Sequence, residues 1–544
     1  MNRPSSWSLQ AYRFLTGVCF FVVIVLPTAS AAWRSVHDET GFTLRAYHAM
    51  LTEPRQWVLL GNSLAIAAAA TCLATVLGVG AAFALEYVRV PTRGMLLCGV
   101  AMAFLIPNYA AAVAWIDVLG NNGLLHKLLQ RLVAWEGGVP AITTLPGVVF
   151  VSSLSYYPVV ALTTAIGLRR FDCRLTEAAQ LAARPARVFL AVLFPVLAPA
   201  IAAGAVIVFL LSLIGFAVPS LLQINTYPVE VFAAFSAFYD FPAATAHALP
   251  LVLSGTVVLF LGAHYVRGRR GWLSGRTRTI AGPRGSSASR FLAALGCWAL
   301  VAVSSVLPFA VLFWRSLPLH SYIQVFATAK EEIVTSLLVA AGSATAITVL
   351  AFSMAYLERA RNRARARQRI FSCGNLSLVP FLVSGPVIGV ALIATWNRPG
   401  LPALVYDSIL VVVFACVARF LFFAQRGFDA AMADIDTHME EAAVVAGVPW
   451  RRRLTGILLP LLWPVVAGVW GLSFILCMGE LDATSLVCPP GAILLSVRVH
   501  SLMHYGPNSL AAALSVITTL VILVCAAITA LVFTKGIQAR HAPS

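Results

Sequence analysis

The sequence predicts an all-α, polytopic membrane protein with about twelve transmembrane helices in two parallel, pseudo-two-fold-related halves of six. Three observations support this fold class. The chain of 544 residues is 60% hydrophobic and only 11% charged, whereas a soluble domain carries about 25% charged residues. Stretches of about 20 apolar residues, the length that spans a bilayer, follow one another along the chain. Short basic loops separate them, and similar loops recur in the two halves.

Twelve apolar segments can be placed in order along the chain. With a cytoplasmic N-terminus, nine of the 38 lysines and arginines fall on the outer side and 29 on the cytoplasmic side or at cytoplasmic span ends. The positive-inside rule favours this orientation, which also makes the C-terminus cytoplasmic. Pro107 interrupts the third segment and Pro386 interrupts the ninth. The segments are 14–33, 57–86, 94–118, 144–168, 196–219, 245–266, 291–314, 333–357, 372–396, 402–425, 461–487 and 509–534.

The first apolar segment has two interpretations. Arg3 and Arg13 precede it, and Ala29-Ser30-Ala31 is typical of a signal-peptide cleavage site. The apolar run extends to about Trp33, which is long enough to span a membrane. An uncleaved first helix also makes the number of spans even, so we favour it over a cleaved signal peptide.

The net charge of +17 comes almost entirely from arginines in short loops. Residues 267–290 are rich in Gly, Ser and Arg, which predicts a cytoplasmic linker between a first six-span domain, 1–266, and a second, 291–544. Residues 359–369 form a second basic loop. A nucleic-acid patch is the alternative for both, but loops beside the anionic lipid leaflet are the better interpretation, so no nucleic-acid partner is expected.

Two charged, helix-forming stretches lie between apolar segments. Residues 441–460 read EAAVVAGVPWRRRLTGILLP. Glutamate and alanine favour a helix, and Gly447-Val448-Pro449 then breaks it. A second helical piece is predicted to begin near Trp450 and to end at the membrane at Pro460. Its three arginines require water, so the stretch is a loop outside the hydrocarbon. Residues 177–195, EAAQLAARPARVFLAVLFP, repeat the pattern.

This pattern resembles the Glu-Ala-Ala loop of ABC-type importer permeases. The resemblance implies that loops 170–195 and 427–460 each dock one ABC ATPase subunit, and that the leading glutamates anchor them. For those glutamates alone, helix capping or pairing with a nearby arginine is the alternative. The first copy departs at the glycine, isoleucine and leucine positions. The matching positions are Glu177, Ala178, Ala179 and Pro195 in the first copy, and Glu441, Ala442, Ala443, Gly447, Ile457, Leu459 and Pro460 in the second.

The chain carries no ATP-binding motif of its own. A P-loop needs a lysine in the pattern G-x-x-x-x-G-K-[ST], and Lys127, Lys330 and Lys535 lie in other contexts. No loop between the apolar segments is long enough for a nucleotide-binding domain. We therefore expect a transport subunit, not an enzyme, that binds no cofactor and relies on ATP hydrolysis by its partners.

Three acidic residues are candidates for a substrate path. Glu480 and Asp482 lie toward the outer end of the eleventh segment, and Asp117 lies at the outer end of the third. Acids inside a membrane are costly and usually functional. They could attract a cation or pair with a neighbouring helix, and the alternative is an outer-surface position without a role.

The stretch around the first two acids resembles fused permeases of the ferric-iron class, which show Gly-Glu-Leu-Ser-Ala-Thr and then Pro-Pro-Gly; Asp482 replaces the usual Ser. This implies an inner-membrane importer that receives ferric iron from a periplasmic binding protein. Related fused permeases carry thiamine, aminoethylphosphonate or polyamines. The matching residues are Gly479, Glu480, Leu481, Ala483, Thr484, Pro489, Pro490 and Gly491.

Rival classes find less support in the sequence. An ion-gradient-driven secondary transporter needs charged relays in mid-span, and the apolar segments are nearly free of charge. A membrane enzyme needs clustered His, Asp or Glu at the cytoplasmic interface. Among the ten histidines, His500 and His504 have the spacing of a zinc pair. An exposed amphipathic helix is the better interpretation there, so no metal site is expected.

Overall fold

The computed structural model describes residues 7–38, 41–88, 90, 92–120, 123–133, 142–169, 179, 185–267, 287–317, 319–364, 377–505 and 508–541. Within these ranges the chain is predominantly helical, which confirms the all-α prediction. A two-residue antiparallel hairpin pairs His37–Asp38 with Gly41–Phe42.

The helices follow the apolar segments in order. In the first part of the chain they are α1 (Trp7–Ser35), α2 (Arg45–Thr52), α3 (Pro54–Val88), α4 (Arg93–Leu105), α5 (Asn108–Leu119), α6 (Leu124–Val133), α7 (Leu145–Arg169), α8 (Ala191–Ile214), α9 (Ala217–Leu221), α10 (Tyr227–Ser236) and α11 (Phe241–Val266). In the second they are α12 (Ala288–Ser316), α13 (Leu319–Thr328), α14 (Lys330–Ala364), α15 (Leu378–Leu382), α16 (Gly385–Trp396), α17 (Leu401–Tyr406), α18 (Leu410–Ala433), α19 (Thr437–Val445), α20 (Trp450–Met478), α21 (Thr484–Val487), α22 (Leu495–Tyr505) and α23 (Asn508–His541).

The predicted count of twelve spans is not confirmed. Among the described residues, ten helices are long and apolar enough to cross a membrane, and a bent pair, Arg93–Leu105 with Asn108–Leu132, would make eleven. That pair bends by 96° at Pro107. The ninth segment divides into α15 and α16 ahead of Pro386. At Pro107 the preceding residue, Ile106, is extended, as a following proline favours. At the second break Val383 is extended, and Pro386 lies in the first turn of α16, where its missing N–H costs no helical hydrogen bond.

At four other prolines the helix continues. A five-residue π-helical turn ends two residues before each of them. The backbone hydrogen bonds of that turn join residues five apart instead of four, so the hydrogen-bond pattern of the helix has already changed where the proline N–H is missing. The Leu459 N–H, for example, donates to the Leu454 carbonyl immediately ahead of Pro460. The turns and their prolines are Phe21–Val25 with Pro27, Phe189–Leu193 with Pro195, Ala302–Val306 with Pro308, and Leu454–Leu458 with Pro460.

This arrangement corrects one prediction. The helical piece that begins at Trp450 does not end at Pro460; it runs unbroken to Met478 as α20. The π turn allows the helix to continue through the proline, and the presence of a proline in the sequence does not reveal that turn.

The first and seventh predicted spans, α1 and α12, each pack against helices from the other part of the chain. In α1, the Tyr12 hydroxyl donates to Ser353 Oγ of α14 at 2.7 Å. In α12, Ser305 Oγ donates to the Gly99 carbonyl of α4 at 2.8 Å, and Ser304 Oγ lies 3.1 Å from the Tyr157 hydroxyl of α7. The largest buried apolar cluster accordingly draws on helices from both ends of the sequence.

Candidate functional site

A buried ion cluster is formed by Arg419, Glu480 and Asp482, which we call the central triad. Arg419 lies ten residues into the 24-residue helix α18. The two acids follow α20, which ends at Met478 and is capped by Gly479. Beyond that cap the backbone turns, and α21 begins only at Thr484. The end of α20 therefore delivers both carboxylates to the middle of α18.

A single guanidinium pairs with both carboxylates of the central triad. Arg419 Nε lies 2.9 Å from Glu480 Oε2, and its Nη2 donates to Asp482 Oδ2. The three residues are 9%, 4% and 7% exposed, respectively. Charges this deeply buried are stable only when paired and hydrogen-bonded, so this pairing is what allows the cluster to exist.

Backbone amides hold the two acids in place. The Ala483 N–H donates to Glu480 Oε1 at 2.8 Å, and the Ala217 N–H donates to Asp482 Oδ1 at 3.2 Å. Ala217 begins α9, just past the end of α8, so the second bond joins two segments 265 residues apart in sequence. The central triad is therefore a point of contact between distant parts of the chain.

Gly385 lies directly against this cluster. A Cβ atom at that position would lie 2.3 Å from the Asp482 Cβ and 2.6 Å from Arg419 Nη1. Gly385 opens α16, immediately after the break in the ninth segment. The interrupted segment thus brings bare backbone against the ion pair, where only glycine fits.

A cavity of about 760 Å³ reaches from the central triad to a second ion cluster. Glu86 accepts from Arg93 at 2.7 Å and from Arg169 at 2.6 Å. Glu86 and Arg169 line the cavity, as do Tyr156 and all three members of the central triad. Tyr156 lies within electrostatic range of the triad, and Arg169 follows it by 13 residues on α7, or about 20 Å of helix. The cavity therefore runs lengthwise between the helices.

The structure distinguishes the interpretations of the three predicted path acids. Glu480 and Asp482 are buried and paired with a neighbouring helix, so the alternative of an outer-surface position is wrong. Asp117 is separate from them. Its Oδ1 lies 3.3 Å from Arg315 Nη2, and Asp117 is absent from the lining of the described cavity.

Arg419 was missed by the sequence analysis, which counted it among the cytoplasmic basic residues. A signal was present, because Arg419 is the only charged residue between Leu410 and Gln425. A lone arginine inside an apolar segment is costly and implies a buried acidic partner.

The second charged loop folds as a helix with a glycine stop. Gly447 has φ +75°, the left-handed conformation that favours glycine. The Val448 N–H donates to the Ala443 carbonyl at 3.0 Å and the Gly447 N–H to the Val444 carbonyl at 3.1 Å. These two bonds form a Schellman motif, so the predicted break after α19 is confirmed. Ala443 and Leu458 are buried, Ile457 and Leu459 are half-buried, and Glu441, Ala442 and Pro460 are exposed.

Glu440, not Glu441, ties this loop to the rest of the chain. The Glu440 side chain is 5% exposed, and its Oε1 accepts from Arg359 Nε at 3.0 Å. Arg359, near the end of α14, also donates to the Ile435 carbonyl at 3.0 Å. The Glu441 side chain is 57% exposed and lies 3.3 Å from His438 Nδ1. Glu441 therefore faces outward from the loop.

The first charged loop is only partly described. Glu177 and Ala178 lie outside the described residues, and Ala179 is the one described position between 170 and 184. Pro195 lies in α8, directly after a π turn, as Pro460 does in α20.

The two histidines with zinc-pair spacing lie on α22. Their ring centroids are 4.7 Å apart, and His500 Nε2 lies 3.3 Å from Ser220 Oγ. Burial, with a smaller contribution from His504, lowers the pKa of His500 to about 4, so its ring is neutral at physiological pH. No group of three or more His, Cys, Asp or Glu suited to a metal ion occurs within the described part of the chain.

Comparison with known proteins is consistent with these features. A family profile described as "Binding-protein-dependent transport system inner membrane component" matches residues 347–539. The putative 2-aminoethylphosphonate transport system permease protein PhnU of Salmonella choleraesuis is 30% identical over 254 residues, which cover 45% of this chain and 87% of that protein. The Fe(3+)-transport system permease protein FbpB 2 of Haemophilus influenzae is 22% identical over 513 residues, which cover 92% of each chain.

A third relative, the inner membrane ABC transporter permease protein YdcU of Escherichia coli, is 29% identical over 231 residues, or 39% of this chain and 72% of that protein. The profile match, these relatives and the helical architecture agree. This chain belongs to the binding-protein-dependent transport system inner membrane components, the multi-pass permease subunits of ABC importers.

Proposed function

We propose that this permease carries ferric iron, delivered by a periplasmic binding protein, and that two separate ABC ATPase subunits drive it. The substrate assignment rests on the central triad, where two carboxylates share one guanidinium beside a large cavity. With both carboxylates ionised the central triad carries a net charge of one negative unit, which attracts a cation, and oxygen ligands suit a hard trivalent metal. The ferric-iron relative, which matches 92% of the chain, supports the same substrate.

The second loop presents a suitable surface for an ATPase. Val445 is 85% exposed and Met439 is 50% exposed, and both lie on the same short helix, α19, as the outward-facing Glu441. Exposed apolar side chains on one short helix with a charged residue are compatible with a protein interface. In our proposal this surface of loop 427–460 binds one ATPase and loop 170–195 binds the other, while this chain hydrolyses no ATP.

The proposed domain division, 1–266 and 291–544 joined by 267–290, agrees with the repeated backbone features. π turns precede prolines inside the first and seventh predicted spans, and again immediately ahead of the fifth and the eleventh. This six-span period supports a duplicated permease domain, and the excess of basic residues in the loops on one side supports our proposal that both termini are cytoplasmic.

Aminoethylphosphonate is the second candidate, because the PhnU relative is 30% identical to part of this chain. Thiamine and polyamines are carried by other fused permeases and are further alternatives for the same machine. An ion-gradient-driven secondary transporter is not favoured, since the family comprises binding-protein-dependent importers.

Uptake by a deletion strain tests the substrate. The strain complemented with this gene should accumulate labelled ferric iron, and the strain carrying Glu441→Lys should not. Growth on 2-aminoethylphosphonate as the phosphorus source, without iron accumulation, would contradict the iron proposal and support the second candidate. The purified chain alone should show no ATP hydrolysis, and hydrolysis should be measured only after the partner ATPase is added.

A further inference from the structure

We propose that Arg419 is a tethered counter-cation that occupies the cargo's acidic site when the cavity is empty and is displaced by a multivalent cation. The inference rests on the proposed function in one respect, that the cargo is a cation. It adds the residue that sets which cations can enter. Glu480 and Asp482 then hold the cargo, and Arg419 competes with it.

The first argument is occupancy. Arg419 bonds to Glu480 through Nε and to Asp482 through Nη2, so one side chain covers an oxygen of each carboxylate. All three residues also line the cavity. A cation inside the cavity would therefore approach the same two carboxylates that Arg419 already occupies.

The second argument is that the acids are fixed and the arginine is not. Amides of Ala483 and Ala217 hold the carboxylates at 2.8 Å and 3.2 Å. The Arg419 guanidinium is held by the carboxylates alone among the described residues, and its buried Nη1 has no hydrogen-bond partner there. Arginine is a long side chain on a helix, so it can withdraw while the acids remain in place.

If Arg419 withdrew from the carboxylates, its guanidinium would still have a favourable contact. The Arg419 Cζ already lies 5.9 Å from the centroid of the Phe420 ring, and Phe420 lines the same cavity. An aromatic face stabilises a cation that has left its anionic partner.

The competition selects by charge. A monovalent cation offers the two carboxylates no more charge than Arg419 does, and it lacks the arginine's bidentate geometry. A trivalent cation interacts about three times as strongly at the same distance, because Coulomb energy scales with the charge. The central triad should therefore exclude monovalent cations and admit multivalent ones.

Metal binding to the full-length chain in lipid nanodiscs tests the proposal, with labelled gallium(III) as a redox-inert trivalent probe. Arg419→Gln should tighten gallium binding by about tenfold or more, the lower end of the effect that an adjacent opposite charge has on the proton affinity of a carboxylate. Adding Asp482→Asn should remove the gain. Arg426→Gln is the matched control, because Arg426 lies on the same helix with its side chain 45% exposed.

A second variant covers the case in which Arg419→Gln fails to fold. Arg419→Lys keeps the positive charge, but a lysine lacks the planar guanidinium that bonds to both carboxylates at once. It should therefore tighten gallium binding by a smaller factor. Wild-type affinity in both Arg419 variants, or an equal gain in Arg426→Gln, would overturn the proposal.

The experiment separates this inference from the proposed function. If wild-type cells take up ferric iron while the Arg419 variants bind gallium like the wild type, the counter-cation role alone fails. If the variants bind gallium more tightly but no iron is taken up, ferric iron as the substrate fails and the counter-cation role stands.

Discussion

Gly385 shows how closely single residues are fitted around the central triad. Gly385→Ala should lower the free energy of unfolding by roughly 1–3 kcal/mol, because the added methyl overlaps the Asp482 Cβ and Arg419 Nη1. It should also reduce uptake. Thermal unfolding in detergent measures the first effect.

The control for Gly385 is Gly342→Ala. That position in α14 has open space around the added Cβ, so stability should be unchanged or slightly raised. Equal unfolding temperatures for both variants would contradict the close packing assigned to Gly385.

The adjacent glutamates of the second loop should separate stability from transport. Glu440→Gln weakens the charged hydrogen bond to Arg359, so the free energy of unfolding should fall by about 2 kcal/mol. Glu441→Gln, at an exposed position, should leave stability unchanged. Unfolding temperatures of the two variants check this, and a larger loss in Glu441→Gln would reverse the assignment.

Single residues could be predicted only in part. Glu480 and Asp482 stood out because acids are rare in apolar segments, whereas Arg419 was hidden in a count of basic residues. The glutamate motif drew attention to Glu441, but motif position says nothing about burial. Glu440 is the buried neighbour because Arg359, 81 residues earlier in the chain, lies on its side of the helix.

At the scale of elements, the turn between α19 and α20 fixes the shape of the second loop. Gly447→Val should cost about 1–2 kcal/mol locally, since a β-branched residue resists φ +75°. The loop should then change direction, and uptake should fall although the protein stays in the membrane. Transport assays beside a membrane-fraction immunoblot measure both.

Gly456→Ala provides the comparison for that variant. Gly456 is exposed, with open space around an added Cβ and no positive φ. Its uptake should match the wild type. Normal uptake by Gly447→Val would refute the importance of the turn.

Helices were predictable as elements, and their ends were not. Apolar length located the segments, and Pro107 and Pro386 marked real breaks. Pro195 and Pro460 look the same in sequence, yet a π turn carries the helix through each. The sequence does not show which prolines follow such a turn, so it does not tell these two from the prolines that break a helix.

At the scale of the whole molecule, the first span of each proposed half packs against helices of the other half. These contacts should hold the two halves together. A protease site inserted within 267–290 and cut after purification should leave two fragments that co-elute in mild detergent. The bonds of Tyr12 with Ser353 and of Ser304 with Tyr157 are part of the contact that remains. Size-exclusion chromatography checks this, and separate elution would contradict an interlocked core.

The helical membrane architecture was predictable from composition and repetition, but the packing of α1 and α12 against the other half of the chain was not. Hydrophobicity identifies which segments enter the membrane, and it carries no information on which segments touch. The contacts of α1 and α12 depend on small polar groups, such as Ser305 against the Gly99 carbonyl. Such pairs are invisible until the helices are placed.

The unbroken course of α20 has a mechanical consequence. Its 29 residues form a rod about 44 Å long, with the second charged loop at one end and the two buried acids just past the other. Rigid tilting by about 5° would swing the far end through an arc of about 4 Å, more than the length of a hydrogen bond. If Asp482 followed that end of the helix, a small displacement at the Trp450 end would be enough to break its bond with the Ala217 N–H.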